Sequence, residues 1–364
     1  MTPLQQLADR GQSVWIDYLS RRFVKDGDLK ELVGRGVVGV TSNPTIFQGA
    51  IAAGDAYDEQ IRELSAELDD PKEIFWRLAV DDIRDACDVL RPVFDATGHK
   101  DGYVSLEVDP NVAHDTDRTK AEAIRLHGLV DRPNLFIKIP ATLAGLQAIE
   151  DTIAAGIPVN VTLIFSLERH RKVAEAYVRG VQRFVAGGGD PSTLASVASF
   201  FVSRVDTEAD KRLGDGHSEL HGKLAIANAK LAYQTYQEVF GDPAWEALEA
   251  KGATRQRCLW ASTSTKNPAY RDVVYVEELV GPDTVNTMPR ETVEAVDDHG
   301  EIRGDTLLED VEGASRTLDA FEAAGVSYDD VVQVLEREGV EKFAKSFADL
   351  IEGLESKLKK LVAA

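Results

Sequence analysis

Eight short runs of branched and aromatic residues alternate with helical segments along the chain, and this alternation constrains the fold more than any other feature. The runs are Val14–Tyr18, Val37–Asn43, Tyr103–Asp109, Leu135–Ala141, Val159–Phe165, Leu194–Val202, Leu259–Thr263 and Thr284–Met288. Between them, Asp28–Arg35 reads as a helix ended by Gly36, and Asp55–Asp95 as helical material broken at Pro71. Asp115–Val130, Leu143–Ala155 and a segment capped by Ser166 and running to Val185 read as further helices. Strands joined through helices pair in parallel, either in an open doubly wound sheet or in a closed barrel. No glycine-rich dinucleotide loop follows the first run, so the pattern predicts a single α/β domain over residues 1–364, an eight-fold β/α barrel of the TIM type. Extra helices are expected as insertions near 206–256 and 290–335. A C-terminal helix is expected near 341–361, where Phe343, Phe347, Leu350, Ile351, Leu354 and Leu358 recur at helical spacing.

The fourth run contains a lysine where branched apolar residues are the rule. Leu135, Ile137 and Ile139 take one face of that strand, and Phe136 and Lys138 the other, so Lys138 is expected to point into the protein. Burial disfavours the charged form of an amine, and a neutral amine attacks carbonyl carbon. A lysine that snorkels past the strand end, or pairs with a buried carboxylate, fits the same stretch. Parity also turns Asp17, Thr41, Asn43, Ser105, Glu107, Asp109, Asn160, Thr162, Ser262 and Ser264 inward on their strands. Barrel interiors are normally layered with apolar side chains, and an unsatisfied buried polar group is costly, so so many polar residues around one lysine point to a site.

Composition narrows the partners. With 62 acidic against 41 basic residues, the net charge of −21 repels nucleic acid and anionic membrane surfaces, and neither is expected to bind. A phosphorylated substrate needs a local basic pocket. Cys87 and Cys258 stand alone and far apart, without disulfide or zinc-ribbon spacing, as suits a reducing cytoplasm. Asp9 and Arg10 fall where a signal peptide needs its apolar core, and no run is long enough to span a bilayer. His217 and His221 lie four apart without a third ligand, and a solvated insertion is the expected setting for them.

Six segments taken in order resemble the transaldolases, Schiff-base enzymes of the class I aldolase group. They are Thr41–Thr45, Ser105–Asp109, Phe136–Pro140, Asn160–Ser166, Ser199–Arg204 and Ala261–Ser264, and they span most of the chain. The resemblance implies an eight-fold barrel, sugar-phosphate substrates, no metal and no organic cofactor. It implies transfer of a dihydroxyacetone unit from sedoheptulose 7-phosphate to glyceraldehyde 3-phosphate in the pentose phosphate pathway, giving erythrose 4-phosphate and fructose 6-phosphate. Carried over by residue, Lys138 would form the imine, and Asp17 would act as acid and base at the donor's C4 hydroxyl. Glu107 and Thr162 would hold a proton-shuttling water, Asn43 and Asn160 would bind the dihydroxyacetone part, and Ser199, Arg204 and Ser264 would hold the phosphate. Lys266 stands where many transaldolases have arginine, which keeps the charge but loses the bidentate fork. In transaldolases the last helix folds over the barrel mouth; from the residues alone it could equally lie in the outer ring or form a homodimer contact.

Three other readings compete. A fructose-6-phosphate aldolase would cleave without transfer, but that branch tends to carry glutamine at the position of Glu107 and is much shorter. A metal-dependent barrel enzyme would use Asp17, Glu107 and Asp109, against which stands the lack of strand-end histidines. A non-enzymatic barrel that binds sugar phosphates would keep the same motifs without turnover.

Overall fold

The computed structural model describes residues 1–363, with side chains through Leu361. Its strands are β1 (Gln12–Ile16), β2 (Val37–Val40), β3 (Val104–Glu107), β4 (Leu135–Pro140), β5 (Val159–Ile164), β6 (Ser196–Phe201), β7 (Arg257–Ala261) and β8 (Thr284–Met288). Each pairs in parallel with the next, and β8 pairs with β1 to close the barrel. The doubly wound alternative is thereby excluded, because an open sheet has two free edges. Outward-facing Val104, Leu106, Leu135, Ile137, Ile139, Val159 and Val161 are each at most 1% exposed beneath the helices. Burying each such side chain contributes about 1.5–3 kcal/mol, which fixes the register and with it the inward face.

Helix starts follow their caps. Asp115, Thr142 and Ser166 accept backbone N–H bonds at the heads of Thr116–Val130, Leu143–Ala154 and Leu167–Ala186. Pro71 opens a new helix, Pro71–Ala96, separate from Asp58–Ser65. The insertions contain Ser203–Leu213, Leu224–Phe240 and Pro243–Glu249, and then Arg290–His299 and Val311–Ala323. Residues 217–221 form a turn, not a helix, so His217 and His221 share no helical face.

Several boundaries differ from expectation, β1 and β6 among them at Gln12–Ile16 and Ser196–Phe201. β7 runs over Arg257–Ala261 where Leu259–Thr263 was expected, because an inward arginine at its first position reads as loop. The second and third strands end earlier, at Val40 and Glu107, after which the chain turns into the loops of the rim. The C-terminal helix begins at Tyr328, well before Glu341, and continues to Ala363. Its first part buries Val331, Val332, Leu335 and Val340 among charged residues, a dilute stripe broken by Gly339. That glycine has a packing reason: a Cβ there would lie 3.1 Å from Leu163 and 3.5 Å from Phe165.

The N-terminal half of the barrel is filled by an aromatic stack on a polar plug. Phe136 stacks between Tyr103 and Trp15, with ring centroids 4.0 and 6.1 Å away. Below them Arg257 donates to Ser13 at 2.9 Å and Asp101 at 3.0 Å, while the Trp15 indole N–H donates to Asp101 at 3.1 Å. This floor leaves the C-terminal rim as the open end of the barrel.

Candidate active site

Lys138 lies on β4 one layer above the floor, level in register with Glu107 on β3 and Asn160 on β5. The residue is 5% exposed, which excludes the snorkelling alternative. The ammonium nitrogen donates to the Ser42 carbonyl at 3.2 Å and lies 3.3 Å from Glu107 Oε2. Neither Glu107 oxygen has a further hydrogen-bond partner in the protein, and neither does the buried Thr162 hydroxyl on the next strand. Burial pushes the Glu107 carboxyl up to about 7, against the opposing pull of Lys138. Its proton is thus exchangeable near neutrality.

Asp17 follows β1 at the rim and accepts a bond from the Thr41 hydroxyl at 2.7 Å; Thr41 is itself linked to Thr287 at 2.7 Å. Burial raises the Asp17 carboxyl above its ordinary value, while Lys138, the Thr41 bond, Arg204 and Lys266 draw it back. Asn43 caps the helix Pro44–Ala52 through Ile46 N–H and lines the cavity. Asn160 donates to Ser105 at 3.0 Å and accepts from Ser199 at 2.7 Å, a buried clamp behind the cavity wall.

Lys138, Asp17, Asn43, Thr162, Ser199, Arg204, Ser264 and Lys266 line one cavity of about 340 Å³, within the usual range for small-ligand sites. Glu107 and Asn160 lie just beneath that surface. Asp109 does not join them: beyond Glu107 the chain enters a short 3-10 turn, and this carboxylate pairs with Lys72 and caps Asn111. Among the described residues no three His, Cys, Asp or Glu side chains are grouped to hold a metal ion. Ser262 and Ser264 reach the cavity by a route parity did not foresee. β7 stops at Ala261, and Ser262 takes a left-handed backbone, φ +57°, which turns the chain at the rim.

Sequence reasoning missed part of the lining. Thr45, Phe201, Thr287, Glu291, Lys342 and Phe343 also face the cavity. Phe343, on the C-terminal helix, holds its ring centroid 5.7 Å from the Lys138 nitrogen. This helix therefore crosses the mouth, the placement that the family resemblance implied and that its apolar stripe alone left open. Leu163 shares in the arrangement: its φ of +60°, uncommon for a bulky residue, accompanies a shift of register between β5 and β6. The altered backbone brings Leu163 against the helix at Gly339.

A closed β/α barrel with a rim lysine buried against a carboxylate, facing unpaired cations, has the architecture of a lysine-dependent, class I aldolase. The family model for transaldolase/fructose-6-phosphate aldolase matches residues 14–354. The chain is 54% identical over 363 residues to Transaldolase 2 of Streptomyces coelicolor, covering 98% of each. It is 55% identical over 362 residues to a transaldolase of Thermobifida fusca, again 98% of each. With a transaldolase of Acidothermus cellulolyticus it shares 56% over 352 residues, 96% of this chain and 95% of that protein. The chain belongs to the transaldolase/fructose-6-phosphate aldolase family.

Proposed function

We infer that the protein is a transaldolase, a transferase of the pentose phosphate pathway, moving a dihydroxyacetone unit from sedoheptulose 7-phosphate to glyceraldehyde 3-phosphate. The observation that carries this reading is the buried Lys138 at 3.3 Å from a Glu107 carboxyl whose oxygens have no other partner in the protein.

Lys138 attacks the ketose carbonyl, and Glu107 supplies the proton that lets the resulting hydroxyl leave as water. Thr162 and Glu107 hold the water that relays protons in this step and in its reversal; their free hydrogen-bonding valences support the assignment. The protonated imine is then an electron sink. Asp17 takes the proton of the C4 hydroxyl, the bond between C3 and C4 breaks, and its electrons enter the imine to give an enamine. A carboxyl raised by burial, as Asp17 is, favours holding that proton until it is returned.

The enamine stays on Lys138 until an acceptor aldehyde arrives. Asn43 and Asn160 bind its hydroxyls, and the Ser105 and Ser199 bonds hold the Asn160 amide in place for this. The Phe343 ring shields the imine from water, which would otherwise protonate and release the unit. Ser199, Ser264, Arg204 and Lys266 hold the phosphate. Arg204 has no carboxylate within 4.0 Å among the described residues; Asp206, its nearest acidic neighbour in sequence, accepts instead from Ala225 N and the Tyr275 hydroxyl. The cytoplasm is the setting that two buried free thiols, Cys87 and Cys258, suit.

The test is a product assay. Fructose 6-phosphate and erythrose 4-phosphate together should yield sedoheptulose 7-phosphate, at a rate unaffected by exhaustive chelation. Formation of free dihydroxyacetone in place of the seven-carbon product would make the protein an aldolase.

A further inference from the structure

The cavity has a cation that the reaction scheme does not use. Lys342, on the C-terminal helix, lines it together with Arg204, which follows β6, and Lys266, which follows β7. None of these three has a carboxylate within 4.0 Å among the described residues, in a chain whose net charge is −21. In the same protein most buried or half-buried arginines are paired, as Arg21 is with Asp82, Arg169 with Glu336 and Arg257 with Asp101. Three positive charges without an ion-pair partner around one small cavity repel one another, a repulsion that Asp17 and Glu291 in the same lining offset only in part, and they accept an anion that a surface so acidic otherwise excludes.

We propose that Lys342 is a direct ligand of the substrate phosphate, and that the phosphate, bridging Lys342 to Arg204 and Lys266, fastens the C-terminal helix over the imine. The proposal rests on the transaldolase reading and adds to it the residue and helix that couple phosphate recognition to closure.

The helix is built for that coupling. Lys342 and Phe343 are adjacent, so one points toward the phosphate end of the cavity and the other toward Lys138. On one side Thr45 donates to Ser346 at 2.9 Å, and Phe347 packs edge-on against Phe75 with centroids 5.6 Å apart. On the other, Glu336 pairs with Arg169 at 3.2 Å. Between these anchors the helix faces like charge. Burial, then Arg204, hold Lys266 below its ordinary value; Glu291 opposes them, Lys342 adds a smaller lowering and Asp17 a smaller opposition. A bound phosphate dianion replaces that repulsion with attraction at the turn carrying Phe343. Phosphorylated sugars would thereby gain both affinity and a drier imine than their unphosphorylated counterparts.

The experiment compares Lys342→Gln and Lys342→Arg with the wild type; the side chain is exposed and its replacement leaves the core intact. Lys342→Gln should raise KM for fructose 6-phosphate and Ki for inorganic phosphate by roughly ten- to hundredfold, the loss of one charge-assisted hydrogen bond. Turnover of unphosphorylated fructose should stay within about twofold, and arginine should restore most of the affinity. In hydrogen exchange, inorganic phosphate should slow amides of residues 339–347 in the wild type but not in Lys342→Gln. An unchanged KM in Lys342→Gln, or equal losses with fructose and its phosphate, would overturn the proposal. Failure of borohydride to trap any donor on wild-type Lys138 would instead strike the transaldolase reading, so the two failures are distinct.

Discussion

Replacing Glu107 by glutamine keeps the shape of the side chain and removes its titratable proton. In the wild type that proton is held to about pH 7 by burial, 3.3 Å from the nitrogen that must lose water to become an imine. A positioned acid or base is worth about 10²–10⁴ in rate, or about 2.7–5.5 kcal/mol of barrier. The assay is rapid quenching with borohydride after mixing with fructose 6-phosphate, at several pH values between 5.5 and 8.5. Wild-type imine formation should show an inflection near pH 7, and the Glu107→Gln enzyme should be slower by that factor and lack the inflection. Imine formation within about threefold of wild type, or a surviving inflection near 7, would refute the role given to this carboxyl.

Two further consequences concern the scaffold. Gly39→Ala would place a Cβ 2.4 Å from the Trp15 indole, which is pinned by Asp101 and Phe136; overpacking of this kind costs about 1–3 kcal/mol, read as a lower urea midpoint, and an unchanged midpoint would contradict the floor as described. Burial pushes the Asp206 carboxyl up to about 7, well above the ordinary range of a carboxylate. The folded state therefore keeps this proton longer than the unfolded chain, and its contribution to stability, present below about pH 4, declines by about 4 kcal/mol as pH rises through 7. Asp206→Asn should flatten the fall in stability over that window, and an identical slope would contradict it.

The barrel was legible because its strands are short branched runs whose helices bury one face, and that periodicity survives without any tertiary knowledge. It failed where a functional or structural polar residue interrupts the run, as at the start of β7, whose inward Arg257 completes the plug with Asp101 and Ser13. Parity brought Lys138, Glu107 and Thr162 together correctly, since each lies on its strand before the alternation ends. It misled for Asp109, because alternation ends with the strand and the next residues form a 3-10 turn. Nothing local to residues 328–343 announces that this helix supplies Lys342 and Phe343 to the cavity. That contact joins residues separated by most of the chain, and it depends on Leu163 and Gly339 meeting where the strand alternation breaks down.

Covalent capture tests the central claim most directly: borohydride reduction in the presence of fructose 6-phosphate, digestion, and mass spectrometry of the peptides. A stable three-carbon adduct on the peptide containing Lys138, absent from Lys138→Ala protein that remains folded, is the predicted result. An adduct on a different lysine, or wild-type transfer without any adduct, would contradict it.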